Sequence, residues 1–172
     1  MARFEDLQHV FWDTGSNYGV QPPLTEQVIL EAEDLLNVTL PSSLVDLLRN
    51  QNGGQVTSSR NAFPTSAPTS WSADHVPCDS LMGIGHRERT PSMFDNPYLV
   101  AEWGLPKPVV LISGDGHYWI GLDYRACGRH GEPSITWFDT DDKSELALAP
   151  NFSFFIEGLT PATKFESERS ER

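Results

Sequence analysis

The first third of the chain has apolar residues spaced three or four positions apart, which is the periodicity of an amphipathic helix. This spacing predicts helices over residues 4–12, 26–37 and 41–50. Thr25 is placed to cap the second helix, and Glu26 lies at its positive end. Asn52-Gly53-Gly54 ends the third helix, because glycine tolerates the left-handed conformation just past a helix.

From Leu81 onward the apolar residues fall in short runs, some alternating and some continuous, which is typical of strands. Strands are predicted at residues 81–86, 108–113, 117–125 and 134–142, and short helices at about 97–103 and 151–159. The second and third strands flank a Gly-Asp-Gly turn and therefore predict a β-hairpin. Helices followed by strands and a closing helix predict a single α+β domain with an antiparallel sheet.

Two segments fall outside this pattern. Residues 55–80 are rich in Ser, Thr, Pro and Ala, and they predict a long irregular insertion. Residues 160–172 are polar and predict a disordered tail, which leaves residues 1–159 as the domain. No apolar run reaches the length of about 18 residues that a membrane span needs. The start of the chain lacks the apolar core of a secretory signal, and two cysteines are too few for a disulfide framework, so we expect a cytoplasmic protein.

The charge balance limits the possible partners. Acidic residues outnumber Lys and Arg by 24 to 12, which gives a net charge of −12. Such a surface repels nucleic acid and anionic membranes, so we expect no direct contact with either. It attracts a basic protein, although solubility alone is an alternative explanation of the charge.

The stretch from 114 to 125 combines His117 and Asp123 with three aromatic residues, and a general acid–base pair is one interpretation of it. No nucleophile elbow, zinc-protease helix or phosphate-binding loop accompanies this pair. Asp139, Asp141 and Asp142 resemble part of a calcium loop, but its glycine and terminal glutamate are missing at the required spacing. A hairpin followed by a solvated turn explains these residues better, and we predict no enzymatic activity.

A structural zinc site is an alternative that the sequence leaves open. His75 precedes Cys78 by three positions, and Cys127 precedes His130 by three. Both spacings suit a tetrahedral ion held by two cysteines and two histidines. The site requires the insertion to meet the loop after the hairpin. We expect no other cofactor, and a disulfide between the two cysteines is disfavoured in a reducing compartment.

Five segments follow one another along the chain: LPSSLVDLLRNQNGG at 40–54, LMGIGH at 81–86, AEWGLPKPVVLISGDGHYWIGLDYR at 101–125, PSITWFDTDD at 133–142 and NFSFFIEGL at 151–159. In this order they resemble the SUKH superfamily, specifically its Smi/Knr branch. The resemblance implies an α+β fold whose helices pack on a bent mixed sheet, and it brings no catalytic residues. It implies that most motif positions form the fold, while Asp123 contacts a buried polar network or the partner. The insertion at 55–80 is longer than the family pattern requires.

The resemblance also implies a protein-binding role. Bacterial members are typically immunity proteins that neutralise toxin domains, often nucleases, whereas yeast members regulate cell-wall synthesis through protein partners. A nuclease is basic where it holds its substrate, so an acidic inhibitor can cover that surface without chemistry. We hypothesise an immunity protein, monomeric or homodimeric, with a regulatory scaffold as the alternative. The candidate partner contacts are Glu26, Glu31, Glu33, Asp34, Asp123, Asp139, Asp141 and Asp142.

Overall fold

The computed structural model describes residues 2–171. These residues form six α-helices: α1 (Phe4–Leu7), α2 (Glu26–Leu36), α3 (Ser42–Asn50), α4 (Asn96–Glu102), α5 (Phe152–Gly158) and α6 (Thr163–Ser170). They also form eight strands: β1 (Gly54–Gln55), β2 (Ala62–Pro64), β3 (His75–Pro77), β4 (Ser80–Leu81), β5 (Val109–Gly114), β6 (Tyr118–Asp123), β7 (Ser134–Asp139) and β8 (Ser144–Ala149). Single 3-10 turns lie at Ser58–Arg60 and Met93–Asp95.

The centre of the fold is an antiparallel four-stranded meander in the order β5-β6-β7-β8. Its register places Ile120 opposite Trp137 and Leu122 opposite Ile135. All six residues of β6 are buried, and successive strand residues point to opposite faces, so both faces of the sheet are covered here. Two small antiparallel ladders, β1 with β4 and β2 with β3, stand beside the meander.

Helices cover the meander and close one α+β domain. Helix α5 contacts β7 and β8 and is itself contacted by α1 and α3, while α4 lies against β5. The buried apolar side chains form one cluster that joins helices and sheet. Its largest fully buried members include Trp137, Tyr124, Phe11, Phe152 and Phe155.

The ends of α2 and α3 form as the sequence predicts. The Thr25 side chain accepts a hydrogen bond from the backbone of Val28 at 3.3 Å and caps α2. Beyond α3, Gly53 has a φ of +87°, and a Cβ there would stand 2.4 Å from the backbone nitrogen of Gly83. Both the left-handed backbone and the close approach therefore require glycine.

Several predicted elements differ in extent. The first helix covers only Phe4–Leu7, and the strand predicted at 81–86 is reduced to Ser80–Leu81. The structure adds β8, and it places short strands and a 3-10 turn within the insertion at 55–80. The tail predicted to be disordered contains α6, because Phe165 is buried against the fold and gives an otherwise polar segment an anchor.

Candidate partner-binding surface

Two turns meet at one end of the meander. The β5–β6 turn is built on Gly114 and Gly116, which have φ values of +148° and +102°. The β7–β8 turn is tied to it where the backbone N–H of Thr140 donates to the carbonyl of His117 at 3.0 Å. The imidazole of His117 also lies 3.2 Å from the carboxylate of Asp141. The two turns therefore form a single rim of the sheet.

This rim is acidic and carries exposed aromatic side chains. We call it the turn-end surface, and it consists of the exposed side chains of Trp71, Glu102, Trp103, Asp115, Asp141, Asp142 and Glu145. Five of these seven residues carry carboxylates. The two turns add two basic residues, His117 and Lys143. The surface is thus negatively charged at neutral pH.

The two tryptophans flank the rim from opposite sides. Trp103 is 44% exposed, and its indole lies against Gly116, where an added Cβ would approach it to 3.0 Å. Its ring centroid is 6.3 Å from that of Trp119. Trp71 is 51% exposed and meets Tyr118 edge to face at 5.7 Å. Tyr118 and Trp119 are consecutive on β6, so the two indoles stand on opposite faces of the sheet.

Asp139 organises the rim from beneath. It is 2% exposed and accepts hydrogen bonds from the backbone and hydroxyl of Ser70 and from the N–H groups of Asp141 and Asp142. Burial alone would raise the pKa of Asp139, but these hydrogen bonds hold it below its ordinary value. Asp139 therefore positions the segment that carries Trp71, and its carboxylate is buried within the chain.

Asp123 also lies below the surface. It is 8% exposed and accepts hydrogen bonds from the Arg125 guanidinium at 2.8 Å and from the Thr136 hydroxyl at 3.0 Å. Burial opposes ionisation, but the Arg125 guanidinium and the Thr136 hydroxyl hold the pKa of Asp123 below its usual range. Arg125 in turn bonds Glu145, so these groups form one polar network.

The acid–base pair considered for His117 and Asp123 does not form. The two residues stand at opposite ends of β6, about 20 Å apart at the rise of an extended strand. His117 is exposed and pairs with Asp141, and this hydrogen bond raises its pKa. His117 belongs to the rim, whereas Asp123 belongs to the network at the far end of the strand.

The acidic residues of α2 are largely engaged within the chain. Glu26 pairs with Arg49, and Glu31 lies 3.2 Å from the imidazole of His86. Glu33 accepts a hydrogen bond from the backbone of Leu40 at 2.9 Å. Asp34 is exposed, and its carboxylate makes no hydrogen bond within residues 2–171. The helix therefore presents fewer free carboxylates than its sequence suggests.

The zinc ligand set proposed from the sequence is not assembled. His75 stacks on Phe165 with centroids 4.2 Å apart and bonds Asp74, while His130 bonds the Thr39 hydroxyl at 2.9 Å. Cys78 is buried and Cys127 is exposed. Across residues 2–171 no three His, Cys, Asp or Glu side chains are grouped to hold a metal ion. The two Cys/His pairs thus serve separate local contacts.

Residues 23–158 match the model of the SMI1 / KNR4 family (SUKH-1). The chain belongs to this family. The SMI1 / KNR4 match runs from just before α2 to the end of α5, so it includes the turn-end surface and leaves α1 and α6 outside. No curated protein sequence matches the chain. In the part of the chain that the structure describes, no helix has both the length and the apolar character to cross a bilayer.

Sequence reasoning missed both tryptophans of the turn-end surface. Trp103 lies in the 101–125 segment, and the family resemblance implies that most such motif positions form the fold; its indole does contact Gly116, but almost half of the side chain faces solvent. Trp71 lies in the Ser/Thr/Pro-rich insertion. The available signal was its setting, because an isolated tryptophan in a polar loop is either an anchor to the fold or a binding residue.

Proposed function

We propose that the chain is an immunity protein, which binds the basic catalytic surface of a nuclease-type toxin domain in the cytoplasm and neutralises it by occlusion. The observation that carries this proposal is the turn-end surface, where five exposed carboxylates stand beside two exposed indoles. Membership of the SMI1 / KNR4 family supports a protein-binding role over a catalytic one.

The surface has the two properties that such an inhibitor needs. Its carboxylates attract a basic domain from a distance and speed the encounter, and they compete with nucleic acid for the same cationic groups. Its tryptophans offer large rigid contact areas of the kind that dominate binding energy at protein interfaces. The carboxylates that steer the partner and the tryptophans that anchor it therefore lie at the same end of the sheet.

The acidic face of α2 is the competing location for the interface. It exposes Leu30 and Leu35 next to Asp34, so it also combines apolar and acidic groups. Carboxylates on both surfaces make contacts within the chain: Glu26 and Glu31 on α2 pair with Arg49 and His86, and Asp141 and Glu145 at the turn end pair with His117 and Arg125. The two surfaces differ in their apolar groups, because the large apolar side chains that α2 exposes are leucines, whereas the turn-end surface exposes two indoles. Since tryptophan dominates binding energy at interfaces more often than leucine, we place the interface at the turn-end surface.

Co-expression and calorimetry test the proposed function. Any toxin domain that is encoded beside this gene is produced with and without the chain, and the purified proteins are titrated at about 50 mM and about 300 mM salt, which brackets the physiological screening length. The proposal predicts cell survival only with the chain, and binding that weakens at the higher salt concentration.

Two outcomes would contradict this function. Tight binding without rescue would show that the toxic surface stays open, and it would favour the regulatory scaffold. Absence of binding at low salt would show that the chain and this toxin domain are not cognate partners. Salt-independent binding with rescue would retain an immunity role but exclude electrostatic occlusion as its basis.

A further inference from the structure

A cleft of about 460 Å³ opens on the turn-end surface between the end of α4 and the β7–β8 turn. We call it the Trp103 cleft. Its apolar walls come from Trp103, Leu105, Pro106 and Phe138. Its rim carries the side chains of Glu102, Lys143 and Glu145. With the buried Asp139, the lining holds three carboxylates against one ammonium and is therefore negative, and its walls include two aromatic rings.

The chain already holds a guanidinium beside this cleft. The Cζ atom of Arg125 lies 5.7 Å from the centre of the Phe138 ring, and its Nη2 bonds the Glu145 carboxylate at 2.5 Å. An aromatic face and two carboxylates, Glu145 and the buried Asp123, thus hold a guanidinium at one edge of the cleft. Trp103 and Glu102 also line the cleft and supply a second ring and a second carboxylate, and Glu102 forms no ion pair within residues 2–171.

We propose that the Trp103 cleft is the subsite for an arginine side chain of the basic partner. The guanidinium lies over the Trp103 indole and donates to the Glu102 carboxylate, in the way that Arg125 engages Phe138 and Glu145. The identity of the partner rests on the proposed function, but the preference of the cleft for a guanidinium is a property of this chain alone.

Arginine suits this cleft better than lysine or an anion. The guanidinium is flat, stacks on an indole and presents forked donors to a carboxylate, whereas an ammonium is a compact and strongly hydrated charge. An anion would meet three carboxylates in the cleft lining, whereas the nearby cations are Lys143 and Arg125, and Arg125 is already paired with Asp123 and Glu145. A neutral side chain would gain contact with the rings but no charge-assisted hydrogen bond.

Titration of the whole chain with capped amino acids tests this preference without any toxin. The probes are Nα-acetyl-arginine methylamide, its lysine counterpart and its citrulline counterpart, which has nearly the same shape but no charge. The readout is the five indole N–H signals of the chain in a ¹⁵N–¹H correlation spectrum. We expect arginine to shift the Trp103 signal saturably, and citrulline to bind at least about fivefold more weakly, which is the scale of a cation–π contact.

Matched variants locate the effect. Trp103→Phe keeps an aromatic wall and is expected to retain binding within about twofold, whereas Trp103→Ala and Glu102→Gln each weaken it about two- to fivefold. The Trp103 variants lack the reporter signal, so binding to them is followed at the indole N–H of Trp119, whose ring centroid lies 6.3 Å from that of Trp103 in the unaltered chain. Asp46→Asn is the control, because Asp46 is also an exposed helix carboxylate but lies on α3. It removes the same charge and should leave arginine binding unchanged.

Three results would overturn the subsite. Citrulline could shift the Trp103 signal as strongly as arginine, arginine could perturb acidic sites throughout the chain without saturation, or Glu102→Gln could behave like Asp46→Asn. The comparison of the three probes on the unaltered chain tests the preference for arginine even if Trp103→Ala fails to fold. Failure of the proposed function appears separately, as loss of rescue in cells while arginine still binds the cleft.

Discussion

The side-chain amide of Asn52 bonds both backbone polar groups of Ile84. Its Oδ1 accepts from the Ile84 N–H at 2.8 Å, and its Nδ2 donates to the Ile84 carbonyl at 2.8 Å and to the Pro22 carbonyl at 2.7 Å. Asn52 is 3% exposed, and its two hydrogen bonds to Ile84 are buried from water. One side chain thus joins the end of α3 to two other segments.

Replacement of Asn52 by Ala should lower the free energy of unfolding by about 2–4 kcal/mol, because each buried group left without a partner costs about 1–3 kcal/mol. Urea unfolding followed by circular dichroism measures this loss. The control is Asn50→Ala, since Asn50 is exposed at the end of the same helix, and its loss should cost less than about 0.5 kcal/mol. Equal effects of the two substitutions would contradict the bridging role.

The hydrogen bonds to Asp139 predict an acid-labile rim. The lowered pKa means that the folded state favours the ionised carboxylate, so the stabilisation is present above about pH 4 and is lost as the pH falls through the lowered pKa. Asp139→Asn should therefore cost about 1–2 kcal/mol at neutral pH, and the gap to the unaltered chain should narrow toward pH 3. Unfolding free energies across this range measure the gap.

Asp141→Asn serves as the control for this experiment, because Asp141 is exposed in the same turn. Its substitution should change stability little in the acid range. A gap between Asp139→Asn and the unaltered chain that stays constant from neutral pH to about pH 3 would show that ionisation of Asp139 does not stabilise the fold.

Helix α6 should stabilise the insertion that carries Trp71. The ring of Phe165 is 5% exposed and stacks on His75, and Arg169 reaches the hydroxyl of Ser72 at 3.0 Å. Phe165→Ala should reduce the free energy of unfolding by about 1–3 kcal/mol, at the lower end for a buried aromatic because the site is peripheral. Lys164→Ala, at an exposed position of the same helix, is the control. Identical stability of the two variants would mean that α6 does not dock in solution.

The two cysteines should differ in reactivity and should not bind zinc together. Cys127 is exposed, whereas burial raises the pKa of the Cys78 thiol and blocks access to it. A thiol reagent should therefore label one cysteine of the native chain quickly and the other only on unfolding. Zinc should leave the melting temperature unchanged. Stoichiometric zinc binding that is lost in Cys78→Ser would contradict the separation of the two pairs.

The strongest sequence signals were local ones. The hairpin of β5 and β6 was predictable because two β-rich runs flank a Gly-Asp-Gly turn, and α3 because its apolar period ends at Asn52-Gly53-Gly54. Strand β8 was missed because only one of its six residues, Ala149, is buried, so it lacks the continuous apolar run of β5. Helix α6 was missed because its only buried residue, Phe165, acquires its partner His75 from far along the chain.

The candidate surface was only partly predictable for the same reason. The acidic turn at 139–142 is visible in the sequence, but which carboxylates face solvent depends on register and on partners elsewhere. Ser70 donates to the Asp139 carboxylate and Arg125 pairs with Asp123, so both carboxylates are buried in contacts that the sequence does not reveal. The convergence of Trp71 and Trp103 on one rim follows from the sheet and not from their spacing in the sequence.

The central claim is that a basic toxin domain docks on the turn-end surface, and its association rate tests this most directly. The association rate at low salt is measured for three proteins. They are the unaltered chain, a turn-end double variant (Asp141→Lys and Asp142→Lys) and an α2 double variant (Glu31→Lys and Asp34→Lys). Both double variants change the net charge equally, so a difference between them reports location. We predict that the turn-end variant associates at least about tenfold more slowly and the α2 variant within about threefold of the unaltered chain. Equal slowing in both, or slowing in the α2 variant alone, would contradict the claim.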